Sequence, residues 1–217
     1  MVQGTEVRTT GVIPTYINSH FDEIVEQFRI YTETIQPLII HIEELKSEFP
    51  SEILNEVRAM YTHFSRAFLT DTEEDVVSNI EKIKRHTKRA LLDCFKNSCI
   101  IIIDQRKLFF EKYKGIDLTY IDKGEFLKKE KTAFRECVDA LKEAKKAEGL
   151  NTNEDVLFSM YQDAYAKGLI LDEIINNAED DANFLKRKAT RRDIITAVFG
   201  VAGIIGTIIT IIGFILG

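Results

Sequence analysis

The sequence predicts an all-α fold: a bundle of about five helices whose last member is long and continues into one membrane-spanning helix. Three observations carry this expectation. Apolar residues recur at three- and four-residue steps through most of the 217-residue chain. Breakers are scarce, with 3 Pro and 11 Gly, and five of those glycines lie in the last 18 residues. Residues 194–217 then run for 24 positions without a charge. As a helix that stretch reaches roughly 36 Å, enough for a hydrocarbon core of about 30 Å.

The first helix is expected over residues 16–46, with Ile17, Phe21, Ile24, Val25, Phe28 and Tyr31 as its apolar face. Pro37 removes a backbone donor and should kink or divide it. Pro50-Ser51 opens a second helix over 51–69, whose core face is Ile53, Val57, Met60, Tyr61, Phe64 and Phe68. Thr70-x-x-Glu73 and Thr72-x-x-Asp75 offer capping boxes for a third helix over 73–113. Its inward positions are Val76, Ile80, Ile83, Thr87, Ala90, Cys94 and Ile101. Residues 115–122 connect to a fourth helix over 123–147. The loop at 149–153 supplies N-cap residues for a fifth, which starts near 154 and runs into the apolar tail.

This fifth helix carries a heptad. Leu157, Tyr161, Ala164, Gly168, Leu171, Ile175, Ala178, Ala182, Leu185 and Ala189 alternate in steps of four and three. The phase continues through Arg192, Thr196, Phe199 and Gly203, so stalk and tail read as one rod with one coiled-coil-like face. That face packs either on the chain's own helices or on a second copy. The expected organisation is a helical bundle over 1–150, a stalk over 151–192 and an anchor over 194–217.

Small residues line one side of the tail: Thr196, Gly203, Gly206, Thr210, Gly213 and Gly217. Such a stripe lets helices approach closely in lipid and predicts a homo-oligomer. Lys186, Arg187, Lys188, Arg191 and Arg192 precede the tail, with Asp193 the one acid beside them. Basic residues stay on the cytoplasmic side, so the expectation is a single-pass membrane protein with a cytoplasmic N-terminal domain. The same bases favour anionic lipid headgroups. Residues 1–15 lack the apolar run of a secretory signal.

Without those five bases and one acid, residues 1–185 hold 24 basic against 34 acidic residues. A net charge of −10 disfavours general nucleic-acid binding, although RNA stays a possible ligand. Within this acidic domain residues 82–114 are basic, ten bases against three acids, while 43–56 hold five glutamates against Lys46. These stretches read either as charge pairing between helices or as a phosphate-binding surface. The 3 cysteines, Cys94, Cys99 and Cys137, show no metal or disulfide spacing and suit a reducing compartment. No cofactor and no metal are expected.

Two patterns are candidates for chemistry. His63-Phe-Ser-Arg66-Ala67 and His86-Thr-Lys-Arg89-Ala90 repeat on consecutive helices. If those helices form an antiparallel hairpin turning near 70–73, position 56 sits beside 87. Glu56 then meets His86 and Arg89, with Asp93 one turn on. Glu56, Arg66, His86, Arg89 and Asp93 form either a polar site for an anionic ligand or an ion-pair network that sets helix register. The second pattern, Arg58-Ala-Met-Tyr-Thr-His63, resembles the Arg-x4-6-His motif of HEPN domains, helical folds that include metal-independent ribonucleases of bacterial defence and toxin systems. The resemblance implies that His63 acts as general acid and base and that Arg58 binds phosphate. Position 59 is Ala, where such ribonucleases often carry a polar residue.

The order of bundle, heptad segment and terminal anchor is also similar to syntaxin-type membrane-fusion proteins, with Gly168 and Leu171 where those carry a polar layer. The favoured function is a tail-anchored sensor, effector or interaction module rather than an enzyme. The alternatives are a membrane-tethered HEPN-like ribonuclease and a structural adaptor.

Overall fold

The computed structural model describes residues 15–46, 50–150 and 152–216, with side chains described for 16–46, 50–150 and 152–192. The fold is all-helical, and no strand occurs among the described residues. In order come α1 (Thr15–Asn18), α2 (Phe21–Ile30), a π-helical turn (Tyr31–Ile35), α3 (Gln36–Lys46), α4 (Ser51–Leu69), α5 (Glu73–Lys112), a 3-10 segment (Leu118–Gly124), α6 (Glu125–Gly149) and α7 (Glu154–Leu216).

Two compact units are built from these elements. One comprises Met1–Ile101 with Leu141–Tyr165, the other Ile102–Ala140 with Ala166–Gly217. The division therefore cuts across α5, α6 and α7 rather than falling in the loop at 150–153.

In the first unit, α1 to α3 show what Pro37 does. Lacking an N–H, it cannot bond the Glu33 carbonyl four residues back. The chain widens just before it, and Gln36 N–H reaches the Tyr31 carbonyl five residues away. The extra residue shifts the helical phase. Beyond it Ile35, Ile39 and Ile42 are buried; before it Ile17 and Ile24 are buried as expected, whereas Phe21 and Phe28 of the expected apolar face are exposed. Phe28 instead stacks on Phe64 of α4, with ring centroids 4.3 Å apart.

α4 buries Ile53, Val57, Met60 and Phe64 as expected, with Ala67 replacing Tyr61, which is exposed. α5 starts with the Thr72 box: Asp75 N–H donates to Thr72 Oγ1 (3.3 Å), and Thr72 Oγ1 donates to Asp75 Oδ2 (2.7 Å). The other expected box does not form, since Thr70 Oγ1 donates to Asp75 instead of pairing with Glu73. All seven inward positions expected for α5 are buried. Thr87 is satisfied there by donating to the Ile83 carbonyl (3.0 Å).

In the second unit, Phe109 of α5 contacts Tyr113 and Phe126 of α6, at 4.8 and 5.8 Å between centroids. Tyr113 is buried, and its hydroxyl donates to Asn183 Oδ1 of α7 (2.7 Å). α6 starts two residues later than its sequence pattern suggests. Asp122, Lys123 and Gly124 take left-handed φ values of 47°, 52° and 91°, which no right-handed helix accommodates.

The heptad face of α7 is buried within the single chain from Tyr161 to Ala182. Toward Leu185 and Ala189 burial becomes partial. The helix itself continues unbroken to Leu216. The expected span and its small-residue face (Thr196, Gly203, Gly206, Thr210, Gly213 and Gly217) fall outside the residues whose side chains are described. Among the described residues, no helix is long and apolar enough to cross a membrane.

Candidate functional site

The residues of the two His-x-x-Arg-Ala repeats lie in the first unit, where α4 and α5 form a hairpin. His86 Nδ1 donates to Glu56 Oε2 at 2.6 Å. One register step along, His63 Nδ1 meets Asn79 Oδ1 at 2.9 Å. The two imidazoles stack with centroids 5.3 Å apart and 14° between planes.

The ring protons follow from the neighbours. Asn79 Nδ2 donates to the Asp75 carbonyl (2.8 Å), so its Oδ1 is left to accept from His63 Nδ1. Glu56 imposes the same tautomer on His86. In their neutral forms both rings therefore keep the lone pair on Nε2.

Beside this stack is a cleft of ≈ 240 Å³. Glu56, Lys88, Arg89, Asp93, Lys96, Glu148 and Glu154 supply its polar lining, and Leu92 and Leu157 its apolar part. Every cation in it is paired. Lys88 binds Asp155, Arg89 Nη2 binds Glu154 (3.1 Å), and Lys96 lies between Glu148 and Asp93. Lys96 also sits over the buried Tyr161 ring, 5.0 Å from its centroid, while the Tyr161 hydroxyl donates to Glu148 Oε2 at 2.6 Å.

With four carboxylates against three cations, this lining is not an electropositive cradle. An incoming anion would have to displace an existing carboxylate from each base. The arrangement is better suited to holding helix register than to binding phosphate. Where the pairs are half exposed, as for Arg89 and Glu154, each adds about 0–1 kcal/mol.

The structure thus brings together Glu56, His63, His86, Arg89 and Asp93 around the stack and cleft. Arg58 and Arg66 are exposed, and neither lines the cleft. Arg58 and His63, five residues apart on α4, point about 140° away from each other, and among the described residues no bond joins them. Asn79, Glu148 and Glu154 belong to the cluster although the sequence patterns do not single them out, and so does Tyr161, which the sequence marks only as a heptad position. For Asn79 a signal existed, because the register that puts position 56 beside 87 also puts 63 beside 80.

The basic run of α5 is paired mainly with acids other than those of residues 43–56. Glu56 is the one residue of that stretch bonded to α5 through a carboxylate among the described residues. The other acids from outside α5 are Glu23, Glu148, Glu154 and Asp155 in the first unit and Glu130 and Glu179 in the second. Cys94 offers no nucleophile, since burial pushes its thiol up to about 12. No group of three or more metal-ligating side chains occurs among the described residues.

Two carboxylates compete for Lys96, and their titrations diverge. Burial raises Asp93 above the usual aspartate range, with Lys96 at 3.6 Å too distant to reverse it. Burial also acts to raise Glu148, but hydrogen bonds from Lys96 and Tyr161 bring it below the usual glutamate range. The signs of linkage are therefore opposite. Ionised Asp93 opposes folding at neutral pH, a cost that vanishes as pH falls through its raised value. Glu148 adds stability above the usual glutamate range and loses it as pH falls further. Asp93→Asn should raise the melting temperature at neutral pH, with the gain disappearing in acid, and Glu148→Gln should lower it. Melting curves moving in the same direction for both variants would refute this division of Lys96.

No protein-family model matches the chain, and neither a curated protein nor a solved structure matches it.

Proposed function

We propose that this chain is a membrane-anchored helical interaction module, held in the bilayer by residues 194–217 with its helical units on the cytoplasmic side. The observation that supports this most is the continuity of α7, one helix from Glu154 to Leu216. Its first part is packed into the fold, and its last part is the uncharged, glycine-striped stretch behind five bases.

Self-association is part of the proposal, and it rests on the tail. The heptad face from Tyr161 to Ala182 is occupied within the chain. The stripe of Thr196, Gly203, Gly206, Thr210, Gly213 and Gly217 is then the surface on which a second copy docks.

In cells, the full chain should stay with membranes through alkaline carbonate extraction, and a chain ending at residue 193 should not. In mild detergent the full chain should run as an oligomer, and Gly206→Leu should shift it toward monomer. Release of the full chain by carbonate would overturn the anchor, and a monomeric full chain would overturn the association.

A further inference from the structure

Five bases precede the uncharged stretch, and the second unit does not use them alike. Lys186 turns back onto the fold. Its Nζ donates to the Lys112 carbonyl (2.8 Å), one of those left open at the end of α5, and stands 5.7 Å from the centroid of the buried Tyr113 ring. Two residues earlier on α7 meet the same end of α5: Glu179 accepts from Lys112 Nζ (2.6 Å) and Asn183 from the Tyr113 hydroxyl (2.7 Å). Steps of four and three along the helix bring Glu179, Asn183 and Lys186 to that one junction. Arg192 also has an interaction partner within the chain.

That leaves Arg187, Lys188 and Arg191. All three are exposed, and no hydrogen bond or ion pair engages them among the described residues. Nor does the sequence place an acid three or four positions from any of them, the spacing at which a helix neutralises its own charges. At about 100° per residue the three fall within an arc of about 100°. At a rise of about 1.5 Å per residue, Arg191 stands about 4–5 Å before residue 194, and Lys188 and Arg187 about 9–11 Å. The headgroup layer is roughly 5–8 Å deep on each side. Arg191 is thus inside that layer, and the long stems of the other two reach it from just above.

We infer that this face of α7 holds one anionic phospholipid, its phosphate on Arg191 and Lys188 with Arg187 beside them, and its acyl chains running into the bilayer along residues 194 onward. The inference rests on the membrane reading of residues 194–217. It divides the basic cluster into one base that closes the end of α5 and three that face lipid, on one side of the helix only.

The chain contains no Trp, so a single introduced Trp reports on its own surroundings. Ile195→Trp stands about 40° round the helix from Arg191 and about 20° from Lys188, whereas Ala197→Trp stands about 120° and about 180° away. Each full-length variant is placed in nanodiscs of phosphatidylcholine with phosphatidylglycerol as the minor component, bromine being carried on the acyl chains of one lipid or the other. Quenching at 195 should show phosphatidylglycerol enriched about fivefold over its share of the mixture, and quenching at 197 little enrichment. Lys188→Gln with Arg191→Gln should abolish the enrichment and leave the melting temperature in place. Lys186→Gln should do the reverse, keeping the enrichment and lowering the melting temperature by about 1–4 °C. Equal enrichment at the two positions or none at either, enrichment that survives loss of Lys188 and Arg191, or enrichment lost with Lys186 overturns the lipid seat and leaves the anchor standing. No quenching by either lipid overturns the anchor, and the lipid seat with it.

Discussion

Arg106→Ala should destabilise the protein by about 3–5 kcal/mol, far more than removal of any half-exposed ion pair. The reason is where its partner sits. Arg106 Nε of α5 donates to Glu130 of α6, whose side chain is only 3% exposed. The guanidinium lies against the faces of Phe134 and Phe110, 3.8 and 4.8 Å from their centroids. Alanine would remove both the stack and the counter-charge, stranding a buried carboxylate among aromatic rings. Arg106→Lys keeps the charge but loses the planar stack, and should fall between wild type and Arg106→Ala. Arg106→Met combined with Glu130→Leu removes both charges and should recover most of the loss. Thermal unfolding of the full chain in mild detergent measures all four. A loss below about 1 kcal/mol for Arg106→Ala, the level of a surface pair, would show that Glu130 has another way to be satisfied.

That pair marks the limit of what the sequence discloses. The α5 pattern was legible because a long helix with one buried stripe leaves its period in the residue order. Val76, Ile80, Ile83, Thr87, Ala90, Cys94 and Ile101 are all buried. The first helical segment was less legible because its phase changes inside it. A regular 3.6-residue count puts Ile17, Phe21, Ile24 and Phe28 on one face, yet the helix breaks between Asn18 and Phe21 and widens again at Tyr31–Ile35, so Ile17, Ile24 and Ile35 are buried while Phe21 and Phe28 are exposed. The left-handed residues 122–124 were hard to read because Lys123, between Asp122 and Gly124, is a residue type that seldom takes such a backbone.

For the candidate site, contacts within the hairpin were readable and contacts beyond it were not. Antiparallel register between α4 and α5 depends only on where the turn lies, so Glu56 beside His86 follows from the Thr70–Thr72 boundary. Glu148, Glu154 and Tyr161 reach the same cleft from α6 and α7, whose register against α5 no local pattern specifies. The same ignorance hid the partners of the α5 bases. A basic stretch and an acidic stretch close in sequence invite pairing with each other, yet helix packing assigns most of those bases to carboxylates over twenty residues away.

Gly168 separates the two readings of the heptad in a single substitution. If this face were the seam of a coiled coil between copies, leucine at a heptad position would strengthen it. The structure predicts the opposite. A Cβ at Gly168 would stand 3.1 Å from Ile102 Cδ1 of α5 and 3.6 Å from Cys137 Sγ of α6, both buried. Alanine needs only the tip of Ile102 to yield by a few tenths of an ångström. It also gains about 1 kcal/mol of helix propensity, so Gly168→Ala should lie within about 1 kcal/mol of wild type. Leucine places three further carbons where three helices meet and should cost about 1–3 kcal/mol or more. Shortening the neighbour, Gly168→Leu with Ile102→Ala, should restore part of the loss, because the added volume then has somewhere to go. A rise in melting temperature for Gly168→Leu alone, growing with protein concentration, would place this face between molecules rather than inside one.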